Sequence, residues 1–281
     1  MREITVEQIK EHVIPLCLTA AFDLPEDVRQ AIARAAENEP SPLGRSMLNQ
    51  IKENYRLASV ERVPICQDTG VAVFFVDIGQ DVRVTGGTLQ EALSEAAAEA
   101  WKSGCLRMSI VQDPLFTRKN TGFNGPPIVH VNIVPGDNLK ITIAPKGGGS
   151  ENMSRMATLK PTAGLPAVAD FIYETVLLAG GNPCPPIIVG VGIGGNFELA
   201  PILAKRALLR PLGQPHNDAR YAEFEKMMLE RINASGLGPQ GLGGRATAMA
   251  VHVEHYPCHI ASLPLAVNLN CHAARHAFIE L

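Results

Sequence analysis

Three cysteines lie in loop-like segments whose composition suits a metal site. They are Cys66 in Ile65-Cys-Gln-Asp-Thr-Gly70, Cys184 in Asn182-Pro-Cys-Pro-Pro186 and Cys271 in Asn268-Leu-Asn-Cys-His272. Proline, glycine, asparagine and aspartate disfavour regular helix and strand, so these thiols can point into a cavity rather than fill a core. Three thiolates match an iron–sulfur cluster in which one iron is left for a substrate.

Spacing alone indicates such a cluster only weakly. Cys66 and Cys184 are 118 residues apart, and Cys184 and Cys271 are 87 apart, whereas ferredoxin-type ligands are closely spaced. A cysteine is also a common core residue, so each thiol taken singly has a structural interpretation.

The remaining cysteines divide between core and site. Cys17 has apolar neighbours and Cys105 precedes a predicted strand, so both are interpreted as structural. Cys258, beside His259, is an alternative candidate for a metal ligand. We expect a cytoplasmic chain whose six cysteines stay reduced, which favours metal or catalytic roles over disulfides.

Three glycine-rich segments are candidate binding elements. Lys146-Gly-Gly-Gly-Ser150 follows a predicted strand and suits either an anion site or a tight turn. Gly190-Val-Gly-Ile-Gly-Gly195 matches the dinucleotide fingerprint and is predicted to follow a strand and open a helix. The second strand with an acidic residue, expected about 20 residues later, is missing, which argues against NAD. Residues 234–244 are predicted to form a mobile or site-lining loop.

Histidines and one arginine complete the candidates. The C-terminal third contains His252, His255, His259, His272 and His276. His259 follows Pro-Cys where a strand is predicted to begin, a position that suits a site; most of the others are interpreted as exposed or hydrogen-bonded. Arg107 is predicted at a strand-like position, from which its guanidinium could pair with a carboxylate.

Helices are predicted over the first sixty residues and helices alternate with strands thereafter. Thr5 and Gln8 form a predicted capping box, and Asp23 and Ser41 precede two further helix starts. Later strands are predicted at 71–77, 128–134, 139–144, 187–189, 246–253 and 260–268, and helices at 88–103, 165–178, 196–209 and 218–232. Pro135-Gly-Asp-Asn138 predicts a hairpin between two of these strands.

These elements predict an α/β fold with mixed sheets flanked by helices. A helical N-terminal segment, residues 1–60, precedes a mixed α/β cluster-binding region, residues 61–281, and the two form one continuous catalytic domain.

Composition excludes several classes of protein. The chain has 281 residues, 46% of them hydrophobic and 19% charged, with a net charge of −3, so no basic surface for nucleic acid is expected. The sequence contains no run of about 18 apolar residues, so no membrane span is expected. The N-terminus, Met-Arg-Glu-Ile-Thr-Val-Glu, lacks the features of a secretory signal.

Taken together, the motifs resemble those of a known family. The motifs are Cys66-Gln-Asp-Thr-Gly70, Lys146-Gly-Gly-Gly-Ser-Glu-Asn152, Gly181-Asn-Pro-Cys-Pro-Pro186, Gly192-Ile-Gly-Gly195 and Asn270-Cys-His-Ala-Ala-Arg275. In this order they are similar to the class I fumarate hydratases and the related L-tartrate dehydratases, from about residue 40 onward.

The resemblance implies a ligand set and substrate contacts. It implies a [4Fe–4S] cluster held by Cys66, Cys184 and Cys271, with a fourth iron that binds the hydroxy acid. Substrate contacts are implied for Gln67, Asp68, Arg107, Gly148 and His259, with Asp68 and His259 in catalytic roles.

The resemblance also implies a partner. Single-chain members continue into a second domain that supplies a catalytic threonine and several basic groups, whereas this sequence stops ten residues after Cys271. It therefore resembles the α subunit of the two-subunit form. A β subunit would supply the catalytic base and further carboxylate contacts within a larger heteromer.

The activity implied is reversible hydration of fumarate to L-malate, and the alternative is dehydration of L-tartrate to oxaloacetate. Two other classes stay open: an NAD-dependent oxidoreductase and a non-catalytic subunit with structural zinc.

Overall fold

The computed structural model describes residues 2–281 and consists of two compact units. The first comprises Met1–Pro25, Asn54–Gly148 and Arg275–Leu281, and the second comprises Glu26–Glu53 and Gly149–Ala274. Each unit is assembled from separate stretches of chain, and neither boundary coincides with the division expected after residue 60. That domain division stays a prediction.

Helices and strands alternate after three N-terminal helices, as the sequence predicts. In chain order the elements are β1 (Arg2–Thr5), α1 (Val6–Phe22), α2 (Glu26–Asn38), α3 (Pro42–Glu61), β2 (Val71–Gly79), β3 (Val82–Thr85), α4 (Leu89–Ser103), β4 (Ile128–Val134), β5 (Leu139–Lys146), α5 (Gly148–Glu151), β6 (Arg155–Leu159), α6 (Gly164–Ala179), β7 (Ile187–Gly195), α7 (Leu199–Ala207), α8 (Ala219–Asn233), β8 (Ala248–Cys258), β9 (Leu263–Asn270) and β10 (Ala277–Glu280). Short 3-10 turns lie at Pro161–Ala163 and Pro239–Gly241.

The start of α1 has the expected capping box. The Thr5 hydroxyl accepts a hydrogen bond from the Gln8 N–H at 3.2 Å, and the Gln8 side-chain oxygen accepts from the Thr5 N–H at 2.9 Å. These bonds satisfy backbone donors that a helix N-terminus otherwise leaves without partners.

The first unit is built on a mixed sheet with the strand order β10-β5-β2-β4. Strand β2 is parallel to β4 and antiparallel to β5. One face of the sheet packs against α1 and α4 to form a core that includes Phe74, Ile141, Val13 and Trp101.

The hairpin predicted around residues 135–138 is wrong, because β2 lies between β4 and β5. The connection passes across the end of β2, where the Gly79 N–H donates to the Asn138 carbonyl at 2.8 Å and the Gln80 N–H to the Val134 carbonyl at 2.8 Å. Phe74 and Phe75 point to opposite faces of β2 and both are buried. A strand with two apolar faces takes a central position, and the turn signal does not reveal it.

The second unit is built on another mixed sheet, with the order β6-β9-β7-β8. Strand β7 is parallel to β8 and antiparallel to β9. Helices α6 and α8 cover one face through residues such as Ile172 and Met228, which pack with Val189 and Val191. The predicted α/β fold with mixed sheets is thereby confirmed in both units.

The opposite face of β7 explains its glycines. A Cβ atom added at Gly190 would lie 2.1 Å from the Ala204 carbonyl oxygen, and one at Gly192 would lie 2.0 Å from that of Ala200. Helix α7 packs against the bare backbone here, so only glycine fits at these two positions.

One helix, Pro161–Ala179, meets the length and composition criteria for a membrane span. About a third of its apolar window is buried, and its Val168, Ile172 and Val176 lie in the core of the second unit. A single helix of this kind is weak support for a span.

Candidate active site

The loop that precedes β2 carries Cys66, Gln67 and Asp68. The Asp68 carboxylate accepts hydrogen bonds through Oδ1 from the Gly70 N–H at 3.1 Å and through Oδ2 from the Gly148 N–H at 2.7 Å. The Cys66 thiol donates to the Gln67 side-chain oxygen at 3.3 Å. The two backbone donors fix the direction of the Asp68 carboxylate, and its position at the edge of the loop leaves it partly exposed.

A buried threonine connects this loop to the segment of Arg107. Thr69 is 2% exposed; its hydroxyl donates to the Arg107 carbonyl at 2.8 Å and accepts from the Trp101 indole N–H at 3.2 Å. Arg275, also buried, donates from Nη2 to the Asp68 carbonyl at 2.8 Å. Arg275 therefore holds the Asp68 carbonyl directly, and the next residue, Thr69, connects the loop to Trp101 of α4 and to Arg107.

Asp68, Arg107 and Gly148 line one small cavity of about 220 Å³ in the first unit. Lys146, whose side chain is largely buried, and Ser109 also line it. A carboxylate beside two cationic side chains suits a small anionic ligand such as a carboxylic acid. Of these, sequence reasoning named Lys146 only as the start of a glycine motif and did not single out Ser109.

One detail of this region differs from the sequence predictions, and the substrate contacts of Gly148 and Gln67 stay predictions. Arg107 lies in a stretch without regular secondary structure, residues 106–110, rather than on a strand. The Gly148 N–H, which the resemblance implies as a substrate contact, donates to Asp68. Gln67 is exposed and does not line the cavity.

Cys184 and Cys271 lie at the same end of the sheet in the second unit. Strands β7 and β9 are antiparallel, with Ile188 opposite Asn270, so the chain before β7 meets the chain after β9. The His272 N–H donates to the Cys184 carbonyl at 3.3 Å. Two of the three predicted ligands are thus brought onto neighbouring backbone.

Cys184 has a backbone conformation that non-glycine residues rarely adopt. Its φ is +55°, and its N–H donates to the Gly181 carbonyl at 3.0 Å. Such a conformation costs of the order of 1 kcal/mol and persists only where its surroundings hold it. The side chain is exposed, so the turn presents the thiol outward.

His259 lies in the second unit beside a cavity of about 540 Å³, which is also lined by Cys258, Tyr256, Asn196 and Glu198. The Ala261 N–H donates to its Nδ1 at 3.1 Å. A ring nitrogen that accepts a hydrogen bond carries no proton, so the neutral ring carries its proton on Nε2. His259 is exposed and can present this Nε2–H donor to a ligand.

The thiols fit the chemistry of an iron–sulfur ligand set. All six cysteines lie within the described residues and none forms a disulfide; the side chains of Cys66 and Cys271 are partly exposed and that of Cys184 is exposed. Thiolates are the ligands such clusters require. Within residues 2–281, no three side chains of His, Cys, Asp or Glu form a group that could hold a single metal ion. The ligand assignment therefore stays a prediction.

The other cysteines differ from one another. Cys17 is fully buried in α1, and burial raises the pKa of its thiol to about 12, as its structural interpretation requires. Cys105 is exposed, at a φ of +51°, and no strand follows it, so its interpretation as a core residue is wrong. The Cys258 thiol donates to the Ser262 carbonyl at 3.3 Å.

The dinucleotide fingerprint is a strand rather than a phosphate-binding turn. Gly190–Gly195 lies within β7, so the prediction that it follows a strand is wrong. Gly190 and Gly192 face α7, where their missing side chains allow close packing. These glycines have a structural reason, which weakens the oxidoreductase alternative.

The chain belongs to the fumarate hydratase (Fumerase) family, which it matches over residues 10–280. The resemblance seen in the motifs is confirmed.

Individual relatives are similar over nearly their whole length. A protein of Methanocaldococcus jannaschii named "Putative L(+)-tartrate dehydratase subunit alpha" is 42% identical over 279 residues, covering 96% of each chain. The L(+)-tartrate dehydratase subunit alpha of Escherichia coli strain UTI89 is 34% identical over 279 residues, covering 98% of this chain and 91% of that one. The subunit of the same name from Escherichia coli O157:H7 is 35% identical over 273 residues, covering 96% and 89%.

Proposed function

We propose that this chain is the α subunit of an iron–sulfur-dependent hydro-lyase that reversibly dehydrates a four-carbon hydroxydicarboxylate. The observation that carries the proposal is the match to the fumarate hydratase family over residues 10–280, which includes every candidate site residue. The cavity of Asp68, Arg107 and Lys146 supports it, since its charges suit a carboxylate ligand.

Cys66, Cys184 and Cys271 would hold a [4Fe–4S] cluster. When bound, the cluster would supply a Lewis-acidic iron that orients the hydroxy acid and makes its hydroxyl a better leaving group. All three cysteines lie outside regular helix and strand.

Asp68 and Arg107 would act on the carbon that loses its proton. As that proton leaves, negative charge builds on the adjacent carboxylate, and the Arg107 guanidinium is suited to stabilise it. Asp68 would orient and activate the base that accepts the proton, because its carboxylate is fixed by the Gly70 and Gly148 N–H groups. Each Asp68 oxygen already accepts one of these hydrogen bonds, so the carboxylate can accept a further proton donor from only a few directions.

His259 would act at the leaving hydroxyl. Its Nδ1 accepts the Ala261 N–H, so the neutral ring offers Nε2–H as a donor to the oxygen that departs as water. The atoms balance: one proton from carbon and one hydroxide from the neighbouring carbon give the alkene acid and water.

The base and further contacts to the substrate carboxylates would come from a β subunit. Relatives with this chain's length are named as alpha subunits, which supports a heteromer, and we propose that it acts in the cytoplasm.

Two substrates are supported by different observations. The family is described as fumarate hydratase, which favours fumarate and L-malate. The relatives are named for L(+)-tartrate, which favours L-tartrate and oxaloacetate.

The test is anaerobic purification of the chain with its β subunit, followed by assays with both substrates. We expect a brown complex with about four irons per α chain, bleached by air, and turnover of one of the two substrates. Colourless protein with zinc would favour the non-catalytic alternative, and nicotinamide binding without iron would favour the oxidoreductase.

Asp68→Asn tests the central residue of this site. Asparagine has one acceptor oxygen where Asp68 offers two to the Gly70 and Gly148 N–H groups, and it carries no charge. We expect kcat to fall by about 10²–10⁴-fold, the range for a lost acid–base group, with the iron content unchanged. Asp137→Asn, in an exposed loop of the same unit, is the matched control. Full activity of Asp68→Asn would contradict the assigned role.

A further inference from the structure

The glycine-rich loop at residues 234–244 contacts the turn that carries Cys184. Gln240 donates two hydrogen bonds to one acceptor, the Pro185 carbonyl: from its backbone N–H at 2.9 Å and from its side-chain Nε2 at 2.8 Å. Pro185 directly follows Cys184. Gln240 itself has a φ of +55°, a conformation that is unfavourable for a non-glycine residue and persists only where its surroundings hold it.

The same loop also meets the other side of the Cys184 turn. A Cβ added at Gly241 would lie 2.6 Å from the Gly181 Cα, and one at Gly181 would lie 3.0 Å from the Gln240 carbonyl oxygen. The Gly181 carbonyl in turn accepts the Cys184 N–H at 3.0 Å. The loop therefore contacts the residues that flank Cys184 both before and after it.

A buried carboxylate fixes the far end of the loop. Glu39 is 1% exposed, and its side chain accepts hydrogen bonds from the N–H groups of Ala246 at 2.7 Å, Arg245 at 2.9 Å and Ser41 at 3.0 Å. Burial opposes ionisation of this group, but the three backbone donors and the Arg245 charge lower its pKa below the usual value. A Cβ at Gly244 would lie 2.7 Å from Glu39 Oε1, so the loop approaches Glu39 closely.

Bonds within the loop make it a fixed element rather than a mobile one. The Gly243 N–H donates to the Leu237 carbonyl at 2.8 Å, and the Gly238 N–H donates to the Thr247 hydroxyl at 3.0 Å. Of the two alternatives expected for residues 234–244, mobile or site-lining, this favours the second.

We propose that Gln240 is a positioning residue for Cys184, and that Glu39 supports it by anchoring the loop. The proposal rests on the proposed function, in which Cys184 is a cluster ligand. The positive φ of Cys184 needs support from outside its own turn, and Gln240 supplies it by holding the Pro185 carbonyl with two donors. Groups that orient a metal ligand without touching the metal commonly change metal affinity 10–100-fold when removed.

The test compares Gln240→Ala and Gln240→Glu with the wild-type full chain. Alanine removes the side-chain donor while keeping a Cβ at the same backbone conformation, and glutamate keeps the size but places an acceptor against the Pro185 carbonyl. Gln214→Ala is the matched control, since Gln214 is an exposed glutamine in another loop of the same unit.

Two readouts separate positioning from general stability. In the metal-free chain, hydrogen exchange at the Cys184 amide should become about tenfold faster in both Gln240 variants, with the melting temperature little changed. In the α–β complex loaded anaerobically with iron and sulfide, a chelator should remove iron about tenfold faster from both variants, and the visible circular dichroism of the cluster should change at equal iron content. Glu39→Gln should shift both readouts in the same direction, and Glu37→Gln, its exposed neighbour on α2, should not.

The outcomes are distinguishable. If the wild-type α–β complex holds iron and both Gln240 variants match it in exchange, iron release and dichroism, the positioning role is wrong and the proposed function stands. If the wild-type α–β complex takes up no iron, the proposed function fails, and the role of Gln240 toward a cluster ligand fails with it.

Discussion

Gly192→Ala is expected to destabilise the second unit because β7 and α7 pack with no room for a side chain. The added Cβ would lie 2.0 Å from the Ala200 carbonyl oxygen and 2.7 Å from the Ala204 backbone nitrogen, whereas ordinary contact begins near 3.4 Å. Both opposing atoms belong to the backbone of α7, so no side-chain rotation can relieve the overlap. The helix must move away from the strand by more than 1 Å.

The magnitude follows from two opposing effects. Overpacking of a well-filled core costs about 1–3 kcal/mol, and a backbone clash belongs at the upper end. Alanine in a strand interior gains back about 0.5–1 kcal/mol relative to glycine, through backbone entropy. The free energy of unfolding should therefore fall by about 2 kcal/mol, which lowers Tm by about 4 °C or more for a chain of this size.

Thermal and urea unfolding of the two proteins measure this change, with Gly87→Ala as the control. A Cβ at Gly87 would lie 3.4 Å from its nearest neighbour, a methyl group of Val6, which is ordinary contact. That variant should unfold like the wild type. A Gly192→Ala chain that melts within about 1 °C of the wild type would show that α7 does not pack on β7 as described.

Two further predictions concern buried polar groups. Thr69→Val removes the partner of both the Trp101 indole N–H and the Arg107 carbonyl, so the free energy of unfolding measured in urea should fall by about 2 kcal/mol. Thr117→Val, at an exposed site, is the control. Equal losses in the two variants would refute the role of the two Thr69 hydrogen bonds. Burial, together with the Arg210 charge, lowers the pKa of His252 from 6.5 to about 4. Between these two pH values the unfolded chain therefore binds a proton on His252 that the folded chain does not bind. The free energy of unfolding should fall by about 2 kcal/mol from pH 7 to pH 4.5, and His252→Gln should remove most of that slope; an unchanged slope would contradict it.

Local signals in the sequence were sufficient for much of the fold. The Thr5–Gln8 capping box is formed by atoms three residues apart, and Thr88 and Asp218 likewise accept N–H bonds from the first turns of α4 and α8. Gly180 ends α6 at a φ of +54°. Such features depend on neighbouring residues only, so the sequence predicts them directly.

Which strands lie next to each other in a sheet depends on packing between distant segments, which a short stretch of sequence does not reveal. The turn at residues 135–138 has the composition of a hairpin, yet β2, more than fifty residues earlier in the chain, lies between the two strands that it joins. The Gly190–Gly195 motif was similarly ambiguous, because glycines serve a phosphate turn and a close helix–strand contact equally well. Only the position of α7 distinguishes the two.

The candidate site shows the same division between local and distant information. The composition of each cysteine loop is local, but the separation of 87 residues between Cys184 and Cys271 gives no hint that their backbones meet. They meet because β7 begins and β9 ends at the same edge of one antiparallel pair, with Ile188 opposite Asn270. The chain between them contains α7, α8 and β8 and returns through β9 to close this pairing. The proposed ligand pair of Cys184 and Cys271 would need no sequence spacing of its own, since sheet register sets the distance between the two residues. A slip of one residue in β9 would turn Cys271 to the opposite face.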